Sequence, residues 1–191
     1  MAINTSFVAR SKAAAYREDS NWVFALTLNP SHRDGDIYQL EQRIDWPYEA
    51  YGVSTAMMAG IPGKGSTYLG AYRDDQGDWF EGENEYVFHI EPDAPAARFW
   101  DLSVYRLETR GLLPSKKGDI SSVNTFTKNL KKNKDGSIDI YFGPGKAPKG
   151  YENNFINTTK GMRWFCYFRL YGPTKAYFDR SWKMNDIKQV K

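Results

Sequence analysis

Met162-Arg163-Trp164-Phe165-Cys166-Tyr167-Phe168-Arg169-Leu170-Tyr171-Gly172-Pro173 is the stretch that decides the fold. It is rich in aromatic and β-favouring residues and halts at a Gly-Pro turn signal. An extended chain sends successive side chains to opposite faces. One face then carries Trp164, Cys166, Phe168 and Leu170, an apolar set suited to a core. The other carries Phe165, Tyr167, Arg169 and Tyr171, aromatic but polar-tipped. The reading is a strand of a β-rich domain whose second face is neither plainly core nor plainly solvent.

The same grammar runs upstream. Asp135-Gly136 opens Ser137 to Phe142, an alternating strand with Ile138, Ile140 and Phe142 inward, and Gly143-Pro144-Gly145 ends it. Ser66–Arg73, Tyr86–Ile90 and Phe99–Tyr105 read as further strands, and Thr109–Leu113 as a short one broken by Pro114. The polar, Lys-rich residues 115–133 read as a loop with a short helix near Val123 to Leu130, and Lys146 to Lys160 as an exposed connection. Short, turn-separated strands predict a mainly β domain, an antiparallel β-sandwich or jelly roll.

The N-terminal third is patterned differently. Residues 5–18 read as a helix capped by Thr5 or Ser6. Residues 47–59 read as a second, with Asp45 as cap, Pro47 in the first turn and Gly60-Ile61-Pro62-Gly63 as its stop. Between them Trp22 to Leu26 is a strand or a buried turn, and His32 to Asp36 a solvated loop rather than a metal site. The expected division is a helical connector over 1–64, packed on the domain or on another chain, and a β-sandwich domain over 65–191.

Composition narrows the classes. With 26 basic and 23 acidic side chains, the net charge of +3 argues against a nucleic-acid partner. No apolar run approaches the roughly 18 residues of a membrane span, and the first residues lack the apolar core of a secretory leader, so a soluble chain is expected. The single Cys166 excludes an intramolecular disulfide and reads as a small buried hydrophobe. Neither a Gly-rich phosphate loop nor metal-spaced His and Cys occurs, so neither cofactor nor metal is expected.

Several local patterns together carry a resemblance: Tyr68-Leu69 with Asp74 to Gly77; Phe99-Trp100 with Val104-Tyr105; Asp135-Gly136-Ser137 through Gly143-Pro144; Asn153-Asn154; Arg169 to Pro173; and Phe178-Asp179 with Ser181-Trp182-Lys183. Gly65 to Lys191 resembles domain-of-unknown-function family 1214 (DUF1214), with Phe155 where that family usually shows Trp. The resemblance implies an all-β sandwich and carries no agreed reaction or catalytic residues. In many such proteins this domain follows a second one, DUF1254, in a longer and often exported chain. Gln42 to Trp46 resembles the connector between the two.

Two function classes remain. One is a binding, structural or assembly module that packs with a companion domain or self-associates, with an aromatic face also suited to a glycan or small molecule. The other is a hydrolase of a glycan or phosphate ester, for which Asp101, Asp139 and Asp179 are the available acids. Alternation marks Arg169, Tyr167, Tyr171 and Tyr105, with Asp101, as candidates to line one concave surface. The competing expectation is that Arg169 pairs with Asp101 or Asp179 and the tyrosines merely cover the sheet. His89, the one histidine on an expected strand, is a packing residue or a ligand-binding one.

Overall fold

The computed structural model describes residues 15–25, 33–40, 60–114 and 121–190. The expected helix over 47–59, and residues 5–14 of the earlier one, lie outside these. The described residues form strands β1 (Trp22–Phe24), β2 (Arg33–Asp34), β3 (Ile37–Tyr38), β4 (Ser66–Ala71), β5 (Tyr86–Ile90), β6 (Ala96–Arg106), β7 (Ser122–Asn124), β8 (Ile138–Gly143), β9 (Phe155–Asn157), β10 (Trp164–Pro173) and β11 (Lys188–Gln189), with one short helix, α1 (Lys175–Phe178).

One sheet has five strands in the order β1-β4-β10-β6-β7, and another has four in the order β11-β5-β8-β9; β2 and β3 form a separate ribbon. The pairings are antiparallel except β8 with β9, which is parallel. β10 is the centre of the larger sheet, with β4 on one side and β6 on the other.

The core lies where the two sheets face each other. Trp164, Cys166, Phe168 and Leu170 are fully buried, as alternation requires, with Leu69, Trp100, Leu102 and Val104 beside them. The second sheet supplies Tyr86, Phe88, Ile90, Ile138, Ile140 and Phe142. Rings interlock across the gap: Trp164 stacks on Phe80 at 4.2 Å and on Phe142 at 5.0 Å, and Phe88 meets Phe168 edge-on at 5.8 Å. Each such side chain contributes about 1.5–3 kcal/mol by leaving water. Burial also pushes the Cys166 thiol pKa far up, which keeps it protonated.

Four local expectations need correction. Ala15 to Glu18 do not continue a helix: Ala15 bridges Val23, and the Tyr16 N–H donates to the Trp22 carbonyl at 2.8 Å, closing a tight reversal. Residues 122–124 are an edge strand on β6 rather than the start of a helix, because β6 offers unpaired backbone there. Of Thr109–Leu113 there is one bridge, Leu112 to Tyr105.

Fourth, the connection from 146 to 160 is only partly exposed. It contains a 3-10 turn (Glu152–Asn154) and β9. Asn154 is fully buried: its side-chain N–H groups donate to the Lys131 and Asp139 carbonyls at 2.9 Å, and its oxygen accepts from the Lys131 N–H at 2.8 Å. Nearby, the Thr158 hydroxyl donates to the Gly82 carbonyl at 2.8 Å, and a Cβ on Gly82 would sit 1.9 Å from the Thr159 carbonyl oxygen. Only glycine fits there.

The segment around β1 clasps the C-terminal one. The Tyr16 hydroxyl donates to the Tyr177 carbonyl at 2.9 Å, and Trp22 Nε1 to the Asn185 carbonyl at 2.9 Å. The Asp186 carboxylate accepts from the Ser20 hydroxyl at 2.9 Å and the Asn21 N–H at 2.8 Å. Trp182, Met184 and Ile187 complete the core from this end. Among the described residues no helix is long and apolar enough to cross a membrane.

Candidate functional site

The outer face of the five-stranded sheet is built in rows that the strand register fixes. Arg169 lies between Tyr68 of β4 and Asp101 of β6, and Asp101 pairs in turn with Asn124 of β7. Arg169 Nη1 is 3.6 Å from Asp101 Oδ2, and Nη2 donates to the Tyr105 hydroxyl. The guanidinium sits 5.8 Å from the Tyr68 ring centre and 5.7 Å from that of Tyr105. Asp101 also accepts from the Ser103 hydroxyl at 2.6 Å. The Arg169 side chain is 27% exposed and that of Asp101 13%, so the ion pair sits at the surface rather than inside.

On one side of this row the face is aromatic and partly open to solvent. Tyr171 stacks on Phe99 at 4.0 Å, and Phe99 meets Phe126 at 5.3 Å. Phe126 is 73% exposed. Burial pushes the Tyr171 hydroxyl pKa upward, so the group stays a neutral donor and acceptor.

On the other side the face is roofed. Arg110, in the turn after β6, lies 3.9 Å above the Phe165 ring and donates to the Tyr167 hydroxyl at 3.0 Å and the Tyr72 hydroxyl at 3.2 Å. Its φ of 62°, in the left-handed region, folds the turn back over the sheet. Beneath it Gly70 leaves room for the Tyr72 and Tyr167 rings, which approach its would-be Cβ to 3.1 and 3.2 Å.

The structure therefore brings Arg169, Tyr171, Tyr105 and Asp101 together. Tyr167 shares their face but is 6% exposed beneath Arg110. His89 is not with them: β5 belongs to the other sheet, and His89 Nδ1 meets Asp139 Oδ1 at 2.6 Å, with Nε2 3.9 Å from Glu91 Oε2. Asp139 is steadied on its second oxygen by the Asn133 amide at 2.8 Å. The acids considered for hydrolysis are thus dispersed. Asp101 is on one sheet and Asp139 on the other. Asp179 follows α1, where bonds from Lys175 and then Ser181 lower its carboxyl to about 2. Among the described residues no three His, Cys, Asp or Glu side chains gather as a metal site would require.

Sequence reasoning missed Tyr68, Phe126 and Arg110. Tyr68 is set beside Arg169 by register alone. Phe126 did carry a signal, a lone large ring in the polar run Asn124-Thr125-Phe126-Thr127. Arg110 had none, because its role comes from a backbone reversal.

Residues 65–175, more than half of the chain, match the family model described as protein of unknown function DUF1214. No curated protein matches the chain. Among solved structures, it is similar to the VPA0106 protein from Vibrio parahaemolyticus, with TM-score 0.64 and 19% identity, over 99% of this chain and 42% of that one. An uncharacterised protein from Burkholderia cenocepacia aligns at TM-score 0.37 and 14% identity, over 71% of this chain and 31% of that one. The first likeness is one of fold, and the chain spans less than half the length of that protein.

Proposed function

The chain belongs to the DUF1214 family, and from that premise we propose that it is a β-sandwich assembly module that docks a companion protein surface on the outer face of its five-stranded sheet. The observation that carries this reading is the stacked row of half-buried Tyr171 and Phe99 and exposed Phe126 running beside Arg169. Aromatic and arginine side chains are the types enriched at protein interfaces and at their energetic centres. In the longer proteins that the sequence resembles, the companion is a DUF1254-type domain, with residues 1–64 standing where the connector would be. Docking, rather than hydrolysis, fits the dispersal of Asp101, Asp139 and Asp179.

Calorimetric titration of the whole chain with a DUF1254-type domain supplied as a separate polypeptide tests this. Tyr171→Ala and Arg169→Ala should each weaken binding by roughly tenfold while the circular dichroism spectrum stays unchanged. Unchanged affinity in both folded variants overturns the reading.

A further inference from the structure

We infer that, when no companion domain covers it, this face is closed by a second copy of the same chain, face to face about a two-fold axis. The inference rests on the docking reading above and names the second copy as the occupant where the companion domain is absent. Its basis is self-complementarity. A two-fold interface brings one patch against itself, so a residue that meets a neighbour's partner is met by it in return. A patch of one charge sign cannot satisfy that condition, because like charges would be pressed together. Here the central row carries a guanidinium and a carboxylate on adjacent strands, Arg169 and Asp101 at 3.6 Å.

Rotating a second copy by half a turn about an axis near this pair sets each Arg169 against the other copy's Asp101. The existing pair is long for a salt bridge, and its arginine is 27% and its aspartate 13% exposed, so both ions reach the surface that a second copy would cover. The flanking Phe126, Phe99 and Tyr171 would leave water in the same event, and Phe126 has the most to lose, at 73% exposed. The roofed half, under Arg110, takes no part.

Sedimentation of the whole chain over a concentration series is the first measurement. The expected result is a concentration-dependent dimer. A single species of one-chain mass at every concentration overturns the inference, and leaves the companion-domain titration to decide the docking reading separately. Phe126→Asp, a change at an exposed position that the fold tolerates, should abolish the dimer. Ile37→Asp, at a residue 74% exposed on the β2–β3 ribbon, should leave it intact. The reverse pattern places self-association on the ribbon and overturns the assignment of this face.

The charge pair gives a readout that a merely structural role would not move. Arg169→Glu makes the row acidic, Asp101→Arg makes it basic, and each should be monomeric by itself. Mixed together they should form a heterodimer. Failure to associate on mixing, with both variants folded by circular dichroism, overturns the proposed pairing; if either variant fails to fold, the outcome for Phe126→Asp decides.

Discussion

The two faces of β10 share one backbone and differ in everything else. On the core face the burial of Trp164, Cys166, Phe168 and Leu170 is complete from end to end. On the outer face it is graded: Phe165 is 1% exposed, Tyr167 is 6%, and the Arg169 side chain reaches 27%. The inner face is uniform because a whole sheet opposes it. The outer face is graded because its cover, the Arg110 turn with Leu107 and Trp79 packed beside it, opposes only one half. A sheet surface can thus be part interior and part open to solvent, with a local cover setting the boundary.

The sharpest way to break the contrast is at the inner face. Trp164→Ala removes a fully buried ring stacked between Phe80 and Phe142. It should cost about 3–5 kcal/mol, read as a lower denaturant midpoint. Arg110→Ala should cost less, about 1–2 kcal/mol, because it deprives two tyrosine hydroxyls of a donor without opening the core. Its more specific consequence is faster backbone hydrogen exchange around Tyr167, as the roofed half becomes like the open one. If exchange there is unchanged, the turn is not what divides the face.

A smaller effect concerns pH. Burial, aided by Asp75 and Asp19, raises the Asp186 carboxyl pKa. The folded state then holds this proton more tightly than the unfolded one, so stability falls as pH rises from the ordinary carboxylate range through the raised value. Above that window the penalty persists; below it, it is relieved. Asp186→Asn should flatten this part of the stability profile, measured by denaturation from acid to neutral pH. An identical slope in both proteins would exclude Asp186 as its source. Smallest of all, Phe126→Ala should change folding stability by no more than about 0.5 kcal/mol, since its ring projects into solvent. A larger loss would make it a structural residue and not an interface one.

What was legible in the sequence followed from period-two alternation. β5 falls on Tyr86–Ile90 as expected, and the inward and outward sets of β10 are those its alternation names. Alternation also placed Arg169, Asp101, Tyr105 and Tyr171 on one surface, because register then did the rest. It failed where partners are remote. Ser122–Asn124 has no strand pattern and pairs because β6 presents there the edge that β10 does not occupy. β9 is a strand because β8 offers its edge, in parallel. His89, expected as a packing or ligand-binding residue, ends on the other sheet from Arg169, since nothing local reports which sheet a strand enters. The burial of Tyr167 was hidden for the same reason, its cover arriving from a turn some distance along the chain.

The clasp between residues 16–22 and 177–186 has a consequence in time. The bond from Tyr16 to Tyr177 spans 161 positions, and that from Ser20 to Asp186 spans 166. A ribosome makes the first partner long before the second, at about 5–20 residues per second. Trp22 therefore waits through most of the domain's synthesis without the Asn185 carbonyl that receives its indole N–H. β1 gains its sheet neighbour β4 early and its C-terminal clasp late. A nascent chain arrested before Tyr177 should leave Trp22 open to a fluorescence quencher, and protection at that length would show that the edge closes without its clasp.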